Sequence, residues 1–296
     1  MAFDSKKFLI RTGSAAVFVV VLLGCILWNY YSFSALFFIV SLWGLHEFYK
    51  LMEINGNKPN RFAGMLIGIS LYLFFICLNL SDYFSNKEPY GLSSDLKKIS
   101  AVIVFIGIIT SFITPILELF RSKEKPFENL AITFFGIVYC VLPFALFNSC
   151  SINMLDYGCS PERFYYPTLI ISIFLLIWSN DTFAYLVGSF IGKNKMFERI
   201  SPGKTWEGTI GGGILTIAAS FLIYKIFGLL SLQDWIIISI IVVIFGTLGD
   251  LVESMLKRSV GVKDSGKIMP GHGGILDRFD SLIMVAPFVF LYLILK

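Results

Sequence analysis

The sequence predicts an all-α, polytopic integral membrane protein with about nine transmembrane helices. Three observations carry that expectation: 56% of the 296 residues are hydrophobic, only 15% are charged, and long apolar runs recur from end to end. An average soluble domain is about 25% charged, and a soluble globule of this make-up would expose large apolar patches. A helix of about 20 residues spans the roughly 30 Å hydrocarbon core, so nine spans use roughly 180 residues and little over 110 remain for tails and loops. No separate soluble domain fits. Residues 1–296 therefore read as a single membrane domain, with an N-terminal five-helix region over 1–165 and a C-terminal region over 166–296 that holds the chemistry.

Hydropathy places spans near 13–31, 33–51, 62–80, 99–120, 128–148, 166–190, 208–228, 233–252 and 279–295. The first follows Lys6, Lys7 and Arg11 and contains Leu22-Leu23-Gly24-Cys25, which resembles a lipoprotein cleavage box. The apolar run continues through Trp28 into another span, so a retained helix is the better reading. Polar connectors separate the rest, and those at 191–207 and 253–278 are the richest in chemistry. Counting Lys and Arg on alternate sides gives 18 against 6. The positive-inside rule then puts the N-terminus and both of these loops in the cytoplasm and the C-terminus outside.

The five cysteines, Cys25, Cys77, Cys140, Cys150 and Cys159, show no zinc-ligand spacing and read as small core residues; Cys150 and Cys159 share a loop and could pair if it lies outside the cytoplasm. His46 and His272 are the only histidines and lie on far-separated segments, which argues against zinc. His46-Glu47 is not followed by the second histidine of a zinc protease, and His46 reads as a packed or interfacial residue.

Asp181 sits near the middle of the sixth apolar run, where a carboxylate costs about 2.5–3.5 kcal/mol on insertion scales. At 100° per residue it shares a face with Tyr185 and Gly188, and it either lines a site or is a packing carboxylate paired with a neighbour. Near the end of the eighth run, Asp250, Ser254 and Lys257 form a polar stripe spaced i, i+4, i+7. Glu253, about 60° away, either supports that stripe or faces solvent. The Gly-rich segment 261–280 then opens into the last span. Gly271, Gly273 and Gly274 allow close backbone approach to an anion at a helix N-terminus, where Asp277 and Asp280 are also ordinary helix-start acids. The carboxylates Asp250, Asp277 and Asp280, with Lys257, Arg258, Lys263 and Arg278, suit Mg²⁺ and a phosphorylated substrate. Around 199–208, Gly203-Lys204-Thr205 invites comparison with a Walker A loop, but Glu198 stands where its first glycine belongs. Ser201, Lys204 and Thr205 can still hold phosphate, or the stretch is a plain capped loop.

Ser254-x-Leu256-Lys257-Arg258, then Lys263-Asp264-x-Gly266, then Pro270-x-His272-Gly273-Gly274-Ile275-x-Asp277-Arg278-Phe279-Asp280 resembles the signature of phosphatidate cytidylyltransferases, also called CDP-diacylglycerol synthases. The stretches 178–188 and 201–208 are similar to further motifs of that family. Met269 and Gly203 depart from its usual residues. The specific likeness covers about the last 120 residues.

The resemblance implies a membrane enzyme that converts CTP and phosphatidate to CDP-diacylglycerol and pyrophosphate, with Mg²⁺, at the cytoplasmic face of the inner membrane and as a homodimer; no nucleic-acid partner is expected. Asp250, Asp277 and Asp280 would hold the metal. Lys257, Arg258, Lys263 and Arg278 would neutralise charge, with Asp264 and His272 among the catalytic positions. Ser201, Lys204, Thr205, Ser254, Gly273 and Gly274 would bind phosphates, and Asp181 would line the lipid's access groove or hold a second cation. Two rivals remain: a CTP-dependent lipid kinase, which releases CDP, and a transporter using Asp181 and Asp250 as ion sites. One-sided clustering of the polar residues and the lack of an inverted repeat disfavour the transporter.

Overall fold

The computed structural model describes residues 5–85, 91–121, 124–152, 164–266, 268 and 273–296. Among them, eight helical runs are long and apolar enough to cross a bilayer: Tyr30–Ile54, Arg61–Ser85, Leu92–Arg121, Pro126–Cys150, Pro167–Ile191, Trp206–Phe227, Leu232–Ser259 and Leu276–Leu295. A ninth helix, α1 (Ser5–Trp28), runs unbroken through Gly24-Cys25 and carries the shorter apolar stretch Thr12–Trp28. The chain is a multi-pass membrane protein. His272 and Cys159 lie outside the described residues, as do Lys267 and Gly271.

The described residues pack as two compact units, one within Met1–Met154 and Asp264–Arg278, the other within Leu155–Lys263 and Phe279–Lys296. The Gly-rich segment after residue 263 thus groups with the N-terminal helices. In the first unit, α2 (Tyr30–Ile54) begins at a reciprocal cap, with Asn29 Oδ1 accepting from the Ser32 amide and the Asn29 amide donating to Ser32 Oγ. It is followed by α3 (Arg61–Ser85) and α4 (Leu92–Arg121). The next span is broken at Val141 into α5 (Pro126–Cys140) and α6 (Leu142–Cys150), because Pro143 cannot donate and its ring crowds the preceding turn. Phe33, Phe37, Phe144 and Phe147 interlock in the core. Beside them a buried polar network joins three helices: Tyr30 Oη and Asn79 Nδ2 donate to Asn148 Oδ1, while Asn148 Nδ2 donates to Ser34 Oγ. Such bonds hold membrane helices together where lipid gives no hydrophobic drive.

In the second unit, α7 (Pro167–Ile191) and α8 (Trp206–Phe227) approach backbone to backbone. A Cβ on Gly208 would stand 2.7 Å from the Ala184 carbonyl oxygen, and one on Gly212 would stand 2.5 Å from the Ala184 nitrogen. Small residues four apart on each helix permit this crossing.

Two short strands, β1 (Lys195–Phe197) and β2 (Ser201–Thr205), form an antiparallel hairpin where a loop was expected. Its base is pinned by Glu207, whose carboxylate accepts from the Lys193 and Asn194 amides and from Asn194 Nδ2. The next span consists of α9 (Leu232–Ile241), one π-helical turn over Val242–Gly246 and α10 (Thr247–Ser259). Finally, α11 (Leu276–Leu295) runs toward the C-terminus. Near that end, Asp234 of α9 accepts from Tyr292 Oη at 2.7 Å and pairs with Lys296.

Candidate active site

The second unit holds a cavity of about 620 Å³ between α7, the hairpin and α10. Asp181, Tyr185 and Gly188, which share one face by helical arithmetic, all line it, together with Ser201, Lys204, Thr205 and Asp250. Sequence spacing could not show that the hairpin supplies its lysines, Lys195 and Lys204. Lys204 Nζ stands 2.8 Å from Asp250 Oδ2 and also donates to the Thr247 carbonyl at 3.2 Å. On the other side of that carboxylate, Ser254 Oγ donates to Asp250 Oδ1 at 3.2 Å, as the i, i+4 spacing predicts.

The π turn lies immediately before these residues. It inserts one extra residue per turn, so everything after it is rotated relative to a continuous α-helix, and such turns are frequent at functional sites. Here it sets the direction in which Thr247 and Asp250 leave α10. Asn180 Nδ2 lies 3.4 Å from Thr247 Oγ1, tying α7 to the same turn.

Of the two readings of Glu253 beside the polar stripe on α10, the structure bears out the supporting one. Lys257 pairs with Glu253, whose side chain is fully buried, so Glu253 supports the stripe from inside the unit and does not face solvent. Asp280 lies within electrostatic reach of Asp250, Asp181 and Lys257. Gly249 permits that approach, because a Cβ there would stand 2.5 Å from the Asp280 carbonyl oxygen. Asp181 in turn feels both Asp250 and Lys204. Three carboxylates and two lysines of this unit therefore share one electrostatic neighbourhood.

Thr205 caps α8: its Oγ1 accepts from the Gly208 amide at 3.2 Å, and it is packed against Gly188 and Gly192. In that bond the hydroxyl oxygen only accepts, so its O–H can still donate to a phosphate oxygen. Arg258 donates to the Val262 carbonyl at 3.2 Å, and Lys263 is exposed.

In the first unit, Asp277 closes the turn that precedes α11. Its Oδ2 accepts from the Ser265 amide at 2.8 Å, Ser265 Oγ at 2.9 Å and the Gly274 amide at 2.7 Å. Gly273 has φ +84°, a left-handed conformation that favours glycine. Asp264 and Arg278 are exposed. Glu47 of α2, which in the sequence stands out only as the neighbour of His46, is buried against this same segment.

Among the described residues, no group of three or more His, Cys, Asp or Glu side chains forms a ready metal cage. Mg²⁺ seldom uses one: it keeps several waters and takes one or two carboxylates plus substrate phosphates. Asp250 and Asp280 supply donors of that kind.

Residues 9–295 match the sequence profile of the Cytidylyltransferase family. The chain belongs to that family. As a cytidylyltransferase-family chain it is a nucleotidyltransferase, and its similarity to curated relatives runs nearly end to end. It is 32% identical over 287 residues to the phosphatidate cytidylyltransferase of Staphylococcus haemolyticus, covering 96% of this chain and 98% of that one. It is 34% identical over 250 residues to the enzyme of the same name from Bacillus subtilis, covering 83% and 84%. A 189-residue stretch is 41% identical to the phosphatidate cytidylyltransferase of Staphylococcus saprophyticus.

Proposed function

We propose that this cytidylyltransferase-family chain transfers the cytidylyl group of CTP to phosphatidate, giving CDP-diacylglycerol and pyrophosphate. The observation that carries the reading is the contact of Lys204 with Asp250 on the 620 Å³ cavity, a phosphate-seeking cation beside a metal-seeking carboxylate. The names of the relatives supply the substrates.

An oxygen of the lipid phosphate attacks the α-phosphorus of CTP, a new P–O bond forms, and the bond from the α-phosphorus to the bridging oxygen breaks as pyrophosphate departs. A phosphate monoester with a second pKa of about 6 is already largely ionised at neutral pH, so no general base is required. The barrier lies in bringing two polyanions together and in charge growing on the leaving group. Positioning and fixed positive charge lower it.

Lys204 offers one such charge directly on the cavity, and Lys257, held by Glu253, offers another. The family-like sequence pattern adds Arg258, Lys263 and Arg278 as positive charges; Ser201 and Thr205 offer hydroxyls to phosphate oxygens, and Ser254 orients Asp250 through its hydroxyl. Asp250 and Asp280 are the carboxylates of the second unit assigned to Mg²⁺, and the family-like sequence pattern adds Asp277. When bound, Mg²⁺ supplies Lewis-acid neutralisation of phosphate oxygens. Asp181 and Tyr185 border the part of the cavity carried by the membrane helix, where the lipid head group arrives with its acyl chains in the bilayer.

The 18-to-6 charge bias supports a cytoplasmic site and N-terminus in the inner membrane, and the family likeness supports a homodimer. The test is to incubate purified protein in detergent with CTP, phosphatidate and Mg²⁺ and to quantify CDP-diacylglycerol and pyrophosphate. Equal amounts of both support the reading; CDP as the nucleotide product refutes it in favour of a lipid kinase.

A further inference from the structure

We infer that Glu47 is a positioning residue: from α2 it fixes the shape of the segment that carries Asp277. The inference rests on the activity proposed above. A carboxylate within a membrane helix is expensive and marks function by default, and Glu47 is only 4% exposed. Its polar contacts go to the Gly-rich segment. Oε2 accepts from the Leu276 amide at 3.1 Å and from Ser265 Oγ at 3.2 Å. Leu276 is the first residue of α11, so its amide has no partner within the helix. Glu47 supplies one from another helix.

The fit around the carboxylate is close. A Cβ on Gly266 would stand 2.3 Å from Glu47 Oε1, and one on Gly274 would stand 2.3 Å from Oε2. The backbone wraps the carboxylate with no room for a side chain on either residue. Ser265 then connects it to Asp277: the serine amide and hydroxyl both reach Asp277 Oδ2, the oxygen that also takes the Gly274 amide. Glu47 holds Ser265, and Ser265 holds Asp277. Supporting residues of this kind keep a working carboxylate in one orientation, and their loss typically costs activity about 10–100-fold.

The experiment uses the full chain in detergent, comparing wild type with Glu47→Ala and Glu47→Gln. Three quantities are read: kcat per folded molecule, KM for CTP, and amide exchange over the segment that follows residue 263. Glu47→Ala is expected to lower kcat about tenfold or more, leave KM for CTP within about threefold, and speed exchange of the Ser265 and Leu276 amides without affecting α7 and α8. Glu47→Gln keeps a carbonyl able to accept both bonds and is expected to recover most of the loss. The inference is overturned by unchanged kcat in Glu47→Ala, by a loss that merely follows the folded fraction, by unaltered amide exchange, or by Glu47→Gln being as slow as Glu47→Ala. Should Glu47→Ala not fold, Ser265→Ala replaces it, with a lower kcat expected and an unchanged kcat overturning the inference. A wild-type chain that makes no CDP-diacylglycerol defeats the proposed activity instead, which keeps the two failures distinct.

Discussion

Replacing Lys204 by Met separates the catalytic from the structural value of its ammonium group. The Lys204–Asp250 pair is half-buried, with the two side chains 23% and 33% exposed, and it borders the cavity. Partly solvated ion pairs contribute only about 0–1 kcal/mol to stability, and Met preserves most of the apolar stem. The melting temperature in detergent should therefore move little. Catalysis should suffer far more, because a fixed charge aimed at a transferring phosphoryl group is comparable to an oxyanion-hole donor, whose removal costs about 10²–10³ in kcat. That factor corresponds to about 2.7–4 kcal/mol of transition-state stabilisation, several times the stability effect. Lys204→Arg keeps the charge and should retain more activity than Lys204→Met. The assay is steady-state pyrophosphate release at saturating phosphatidate, with melting followed on the same samples. A Lys204→Met enzyme whose kcat/KM stays within about threefold of wild type would refute the reasoning, since a single positioned charge is worth far more than that.

Asp250→Asn, Asp277→Asn and Asp280→Asn should each lower turnover by orders of magnitude with folding intact; near-normal turnover in any one removes that residue from the proposed metal ligands. Chelating divalent ions should abolish product formation and added Mg²⁺ should restore it, as read by CDP-diacylglycerol synthesis. Gly212→Leu forces a side chain into the Ala184 backbone, where even a Cβ would stand 2.5 Å from nitrogen; a loss of about 1–3 kcal/mol or more is expected in detergent denaturation. Tyr292→Phe deletes one bond to the buried Asp234, at the end of α11 remote in sequence from Asp280. It should cost about 1 kcal/mol in stability and leave kcat unchanged.

The membrane spans were legible because each apolar run satisfies its backbone within itself, so local composition decides it. The common face of Asp181, Tyr185 and Gly188 followed from helical period alone, as did the Ser254 contact with Asp250. What escaped depends on partners distant in the chain or on backbone irregularity. The hairpin over 195–205 is secured by Glu207, which reads as an ordinary first-turn acid of α8. Nothing in Val242–Gly246 announces a π turn, since its residues are as apolar as those around them. Glu47 was hidden for a plainer reason: its partners Ser265 and Leu276 lie 218 and 229 residues away. A signal was nonetheless present, because Glu47 is a lone carboxylate on a helix stripe that otherwise buries Phe37, Val40, Gly44, Phe48 and Leu51.

Positionally labelled CTP tests the central claim most directly. With α-³²P-CTP, phosphatidate and Mg²⁺, the label should pass into the organic-extractable lipid; with γ-³²P-CTP, it should leave in pyrophosphate. Label from the γ position in the lipid, or no lipid label from the α position with folded protein, would contradict cytidylyl transfer at this site.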